Sequence, residues 1–260
     1  MNTSVKDAFD YRAKIYSRGD ISAISDKNHI NEIINKILDN SRKKNFLNVL
    51  DIATGTGMVL LNLYSRIKIN HAVGIDISDN MISEARKGLK ENNIPAELMI
   101  RDVNEGLPFD DESFDLITCR LAFHHLGDIR KTIKEMNRVL VHGGTAAISD
   151  VISFDCDRLD YFHNKSAEIQ DPSHVRFYNA SELACCFKEA GFTILSKSAW
   201  DIHLKMSEME KTTVSSKNFK EFYSMYLNAA DYEKEKFRIE EVNGDLNFIW
   251  PSIIFVAGKN

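Results

Sequence analysis

The stretch Val49-Leu50-Asp51-Ile52-Ala53-Thr54-Gly55-Thr56-Gly57 constrains the fold of this chain more than any other. An apolar run ends in a turn that holds two of only 12 glycines, and the helical pattern Met58 to Tyr64 follows it directly. Strand, glycine turn and helix in that order make the ligand-binding corner of an open α/β sheet, at the carboxyl end of a strand. From Phe46 to Ser149 short apolar runs alternate with helical patterns, which predicts repeated strand-helix-strand units and a parallel sheet. Five strands are expected there, at Leu47 to Ile52, His71 to Ile75, Ala96 to Ile100, Phe114 to Cys119 and Thr145 to Ser149. Met81, Ala85 and Leu89 share one helical face, as do Ile129, Ile133, Met136 and Leu140 ahead of a Gly143-Gly144 turn, and both stripes read as core. Asn179 with Glu182 forms a capping box for a further helix that stops at Gly191. Thr193 to Lys197 reads as a sixth strand, and Phe248 to Ala257 as a last one with Pro251 at an edge or bulge. The mixed-charge run Asp231 to Glu241 reads as a solvated helix or loop.

Several classes of protein are set aside by composition. Lysine plus arginine number 33 against 38 aspartate plus glutamate, a formal net charge of -5, which argues against a nucleic-acid binder. No stretch is apolar enough to span a bilayer, and Lys6, Asp7 and Asp10 interrupt any secretory core, so a cytoplasmic protein is expected. Cys119, Cys156, Cys185 and Cys186 lack the C-x-x-C spacing of a zinc knuckle; free thiols and no metal site are expected.

Two nucleotide-like ligands compete for the glycine turn. Asp76 closes the second strand 19 positions after Gly57, where an acid can accept hydrogen bonds from ribose hydroxyls. A dinucleotide fingerprint wants a third glycine at position 60, which is Leu60, and Asp51 puts a carboxylate where a pyrophosphate would be repelled. A cationic amino-acid group suits Asp51 better. Asp102 ends the third strand, where a carboxylate and the neighbouring backbone can receive an adenine amine. Three acids on three consecutive strand ends suit S-adenosylmethionine: an amino acid, a ribose and an adenine around a sulfonium.

The chain resembles the class I S-adenosylmethionine-dependent methyltransferases, and more closely the small-molecule branch with the menaquinone and ubiquinone biosynthesis C-methyltransferases. The likeness is carried by VLDIATGTG (49 to 57), VGIDIS (73 to 78) with Met81, RDVNEGLPFDDESFDLITCRLAFHH (101 to 125) and EMNRVLVHGG (135 to 144), and more weakly by DPSHVRFY (171 to 178). It implies an α/β, Rossmann-like seven-stranded methyltransferase sheet, mostly parallel with an antiparallel last strand and helices on both faces. It also implies that Asp51, Ala53, Gly55 and Gly57 lie along the methionyl part, that Asp76 holds the ribose, and that Ile77 and Met81 face Asp102 and Val103 across the adenine. Cys119 and Arg120 then approach the methionyl carboxylate or the transferable methyl. Ala53 departs from the glycine that relatives often carry.

The expected organisation is a single methyltransferase domain, with an N-terminal helical cover (1–45), a cofactor-binding sheet (46–197), a lid (198–246) and a closing strand (247–260). Aromatic residues of the two covers, among them Phe9, Tyr11, Tyr16, Trp200 and Phe222, can roof a pocket for an apolar or aromatic molecule, with core packing as the competing reading. Tyr16 is expected to touch the cofactor, and Tyr11, His125 and Arg176 the acceptor. The sulfonium is already electrophilic, so the protein chiefly holds a nucleophile in line with the S-methyl bond and excludes water. Where carbon or oxygen is methylated a base helps, and His124, His125 and His174 are the candidates, against structural readings that bond one of the pair to its loop or pair His174 with Asp171. Arg176 suits an anionic acceptor or a bridge to Asp171 or Asp150. Cys119-Arg120-Leu121-Ala122 lacks the Pro-Pro motif of nucleic-acid amine methylation, and no cysteine precedes Cys119 for arsenite chemistry. The expected function is methyl transfer to a small organic acceptor, at carbon, oxygen or nitrogen, with S-adenosylhomocysteine as product. The alternatives are a non-methylating rearrangement or decarboxylation that uses the same cofactor, or a non-catalytic partner subunit. A homodimer is left open.

Overall fold

A computed structural model of the chain describes residues 4–41 and 46–260. Residues 1–3 and 42–45, part of the stretch read as an N-terminal cover, lie outside the described residues. The strands are β1 (Phe46–Ile52), β2 (Ile69–Asp76), β3 (Ala96–Ile100), β4 (Phe114–Arg120), β5 (Leu140–Val151), β6 (Phe192–Lys205), β7 (Glu240–Val242) and β8 (Asp245–Lys259). Their order is β3-β2-β1-β4-β5-β8-β6, with β7 paired to β8 off that path. β1 to β5 run parallel, and β8 lies antiparallel to both β5 and β6.

The helices are α1 (Val5–Ser17), α2 (Lys27–Asn40), α3 (Met58–Tyr64), α4 (Asp79–Glu91), α5 (Ile129–Val139), α6 (Asp157–Gln170), α7 (Ala180–Glu189), α8 (Met206–Thr212), α9 (Ser216–Leu227) and α10 (Asp231–Lys236). Because successive strand residues face opposite sides, Val49 and Leu116 join α2 and α3 in one core while Leu50 and Ile117 join α5 and α7 in the other. The expected apolar stripes of α4 and α5 are buried, and Asn179 and Glu182 form both halves of the capping box on α7. A third core gathers Phe162 of α6, Met209 of α8, Phe222 and Tyr226 of α9, and the far ends of β6 and β8.

The structure departs from the sequence reading in the strands. β5 runs through Gly143 and Gly144, but its register with β4 breaks between Leu140 and Thr145, so the expected glycine turn is a bulge within the strand, with Gly143 at a left-handed φ of 74°. The sixth strand does not stop at Lys197 but continues to Lys205, paired with β8 throughout, so a sheet boundary at residue 197 cuts a continuous strand. Pro251 sits in a strand with neighbours on both sides, one position beyond the last β5 pair, Val151 with Ser252. Its missing N–H therefore falls where that ladder ends. The run from 231 to 241 divides between α10 and the start of β7.

The chain leaves β1 toward β2 and β3 on one side and returns to β4 and β5 on the other, so the crevice between the ends of β1 and β4 is a topological switch point, where open sheets bind ligands.

Candidate functional site

The switch point opens into a cavity of about 930 Å³, counting its mouth. Its walls are the turn after β1 (Ala53 to Thr56), the end of β2 with Ile77 and Met81, the segment Arg101 to Asn104, and Arg120 to Ala122 after β4; Val5, Phe9 and Tyr16 of α1 roof it. Asp76 is held at the wall by two backbone donors, Gly55 N–H to Oδ2 and Ser78 N–H to Oδ1, both at 2.9 Å. Burial raises its pKa. The turn itself needs left-handed backbone at Ala53 (φ 52°), Gly55 (54°) and Gly57 (81°). Arg120 donates to the carbonyls of Ile24 and Ala23 at 3.0 Å, while its buried Nε has no partner. Burial lowers its pKa to about 10.

Nine of the twelve residues expected at the cofactor line this cavity: Tyr16, Ala53, Gly55, Asp76, Ile77, Met81, Asp102, Val103 and Arg120. Asp51, Gly57 and Cys119 do not. Asp51 lies beneath the wall, 1% exposed, accepting from Thr54 Oγ1 at 2.6 Å and Thr118 Oγ1 at 2.7 Å, and burial pushes its pKa up to about 6. Gly57 caps α3, where a Cβ would press on Ala85 at 3.4 Å. Cys119 alternates away from the crevice into the core beneath α5, and burial raises its pKa. Asp102 accepts from Asn104 N–H at 2.9 Å and so caps the turn that brings Val103 to the wall.

A second cavity, of about 660 Å³ on the same measure, adjoins the first and shares Phe9, Tyr16, Ile24, Leu121 and His125 with it. Its other walls are mainly apolar, with Ile21, Val151, Ile202, Leu204, Met209 and Trp250. At its base Arg12 of α1 pairs with Asp171, both side chains buried, and donates through Nε and Nη2 to the Thr212 carbonyl at 3.1 Å. Burial alone would raise the Asp171 pKa, but Arg12, His125 and the Ser173 hydroxyl together bring it below the usual carboxylate range. His125 gives its Nδ1 proton to the Ser173 carbonyl at 3.1 Å, meets the Phe9 ring edge-on at 4.9 Å, and burial lowers its pKa to about 3. His124 lines the second cavity only, with Nδ1 2.6 Å from Asp150 Oδ1.

Three other expected site residues lie outside both cavities. His174 bonds Asn164 Oδ1 at 3.1 Å rather than Asp171, and burial lowers its pKa to about 3. Arg176 pairs with Glu182 at 3.1 Å and covers the Tyr178 ring, not Asp171 or Asp150. The backbone N–H groups of Val175 and Arg176 both donate to the His124 carbonyl, which turns the Arg176 side chain outward beside α7. Tyr11 is 59% exposed and its hydroxyl reaches the Lys211 carbonyl at 3.4 Å, because α1 presents Phe9, Arg12 and Tyr16 inward instead. Sequence reasoning missed Arg12, Gln170, Thr212 and Leu204 as cavity walls, since no local spacing links α1 to α8. It also missed Asp150, although an acid ending β5 beside a histidine pair after β4 was a usable signal. Among the described residues no group of three or more His, Cys, Asp or Glu side chains could hold a metal ion, and no helix is long and apolar enough to cross a membrane.

Fold and cleft together place the chain among the doubly wound α/β proteins that open a ligand cleft at the switch point of the sheet. Residues 49–144 match the methyltransferase domain family. YcgJ, an uncharacterized methyltransferase of Bacillus subtilis, is 30% identical over 192 residues, which are 74% of this chain and 75% of that protein. The crystal structure of YcgJ superposes with a TM-score of 0.78 at 26% identity, covering 88% of this chain and 99% of that one. A demethylmenaquinone methyltransferase of Thermotoga maritima is 36% identical over 104 residues, 40% of this chain and 43% of the relative. The chain belongs to the methyltransferase family and is an enzyme of that kind.

Proposed function

We propose that the chain transfers a methyl group from S-adenosylmethionine, held in the first cavity, to a small uncharged and largely apolar acceptor held in the second. The observation that carries this reading is the neck of Phe9, Tyr16, Ile24, Leu121 and His125 shared by the two cavities. A donor on one side and an acceptor on the other meet there, roofed from water by α1. The cofactor supplies an electrophilic methyl on a cationic sulfur; the protein supplies alignment.

The residues present fit that cofactor. Asp76 oxygens, each taking one backbone donor, have lone pairs left for ribose hydroxyls. The unpartnered Arg120 Nε suits the methionyl carboxylate, and Asp51 beneath the turn suits the positive charge. Ile77 and Met81 would cover the adenine on one side and Asp102 and Val103 on the other, with Tyr16 at the methyl end. The acceptor side is apolar, and its charged groups, Arg12 with Asp171 and His124 with Asp150, are already paired, which disfavours an anionic acceptor. α1 and α8, with the far ends of β6 and β8, act as the cover.

Calorimetry with S-adenosylmethionine, followed by S-adenosylhomocysteine release over a panel of neutral aromatic and aliphatic hydroxyl compounds, carboxylates and amines, tests this. Asp76→Ala is expected to weaken cofactor binding by about 10-fold or more, the loss of charge-assisted hydrogen bonds to the ribose. Unchanged affinity would remove Asp76 from the ribose site.

A further inference from the structure

We infer that Asp150 is a positioning residue that holds His124 with its proton on Nδ1, so that Nε2 takes the proton of an acceptor hydroxyl or acidic carbon as the methyl arrives. The inference rests on the methyl-transfer reading above and selects, within it, acceptors that must lose a proton to react.

Asp150 ends β5, buried, and every direction around its carboxylate is occupied. Oδ2 accepts the backbone N–H groups of Ala122, Phe123 and His124 at 3.1, 2.5 and 3.3 Å; Oδ1 accepts Val151 N–H at 2.7 Å and the His124 ring at 2.6 Å. With so many donors the carboxylate stays ionised. Burial alone would raise its pKa, and the histidine and these hydrogen bonds bring it below the usual range. An ionised carboxylate can only accept, so Nδ1 of His124 carries the proton, and in the neutral ring the lone pair falls on Nε2. Among the described residues Nε2 has no hydrogen bond, and the ring lines the acceptor cavity.

The other two histidines are not so arranged. His125 is aimed by a neutral carbonyl at Nδ1, turns Nε2 toward Asp171 at 4.0 Å and is hemmed in by Phe9 and His124, and His174 reaches neither cavity. The titratable and charged groups that face His124 are Asp150 from β5, His125 from its own turn, His174 and Asp171 from the loop after α6, His163 from α6, and Arg12 from α1 behind Asp171. Only Asp150 touches its ring with a formal negative charge.

The step balances without a further reagent. The acceptor O–H bond breaks toward Nε2 while the oxygen electron pair forms the bond to the methyl carbon, and the S–CH3 bond breaks with its pair returning to sulfur. The positive charge that leaves sulfur is carried by the His124 ring beside Asp150, and its proton then passes to solvent. An amine, which attacks through a lone pair it already has, needs no such dyad.

The test uses the full chain labelled with 15N-histidine, in long-range 1H–15N correlation spectra with S-adenosylhomocysteine as the probe filling the first cavity. Turnover is followed in parallel as S-adenosylhomocysteine release from the acceptor found in the panel. The His124 signals, assigned by their loss in His124→Gln, are expected to show Nδ1–H with bare Nε2, and Asp150→Asn to shift them toward Nε2–H. His124→Gln and Asp150→Asn are expected to lose about 100-fold or more in turnover with unchanged cofactor affinity, and the loss to narrow as pH rises and the acceptor ionises unaided. An Nε2–H tautomer in the wild type, full turnover in either variant, or a pH-independent loss with a lowered melting temperature overturns the inference. Failure of the wild type to bind S-adenosylmethionine overturns the methyl-transfer reading instead, and the tautomer still decides the dyad.

Discussion

Position 60 carries leucine where a pyrophosphate-binding turn has its third glycine, yet α3 still packs closely on the sheet because the missing side chain is Gly74 on β2. A Cβ there would stand 2.8 Å from Leu98 Cδ2, 3.0 Å from Thr54 Oγ1 and 3.1 Å from Leu60 Cδ1. Gly74→Ala is therefore expected to destabilise by about 1–3 kcal/mol through overpacking, and a second change Leu60→Ala to recover part of that loss. Denaturant midpoints of the two variants check this; additive losses would mean that the leucine does not fill the glycine's space. Ala53 and Leu121, the non-glycine residues at the ends of β1 and β4, both take left-handed backbone, φ 52° and 54°, and both line the first cavity. Each conformation costs about 1 kcal/mol, and the strained pair brackets the switch point.

At the scale of elements, α1 does most to close the site. Asp10 accepts from Ser78 Oγ at 2.5 Å and Asn80 N–H at 3.1 Å, which docks the helix on the start of α4, while Arg12 ties it to Asp171 and to the end of α8. The Arg12 pair is buried, so removing one partner leaves an uncompensated charge. Arg12→Met is expected to lose about 3–5 kcal/mol and the double variant Arg12→Met with Asp171→Leu markedly less, measured as urea unfolding free energies in a double-mutant cycle. Equal losses in the single and double variants would show that packing, not charge, holds α1 down.

The whole molecule carries a set of buried neutral histidines that ties its stability to pH. Burial lowers His29, His125 and His174 to about 3, against an ordinary value near 6.5. Unfolding frees each to bind a proton below about pH 6.5, so their contribution is complete above that pH and is lost as pH falls toward 3. Asp51, raised to about 6, acts in the opposite sense, because between its ordinary value and 6 the folded form binds the extra proton. His163, buried and lowered well below its ordinary value, acts in the same sense as the other histidines, so they outweigh Asp51 and unfolding takes up protons on balance between pH 6 and 4. Unfolding free energies measured at steps through that window should fall steeply with acid; a flat profile would mean that the histidines ionise within the fold.

Residues 49 to 120 disclosed the sheet and the cofactor side of the cleft because both rest on local regularities: apolar alternation, a glycine turn, and an acid at each of three strand ends. Side-chain direction at the wall was less legible. Asp51 and Cys119 occupy the right strands, yet pleating turns one under the turn and the other into the core. The acceptor side depended on contacts that no local pattern encodes. Arg12 meets Asp171 across 159 positions, and the β6 and β8 extensions bring Ile202, Leu204 and Trp250 over the crevice. Among three candidate histidines, the choice of His124 follows from Asp150 on the neighbouring strand end. Local free energies settle strands, caps and turns, whereas which charges are paired, buried or left facing a cavity is settled only when distant segments pack together.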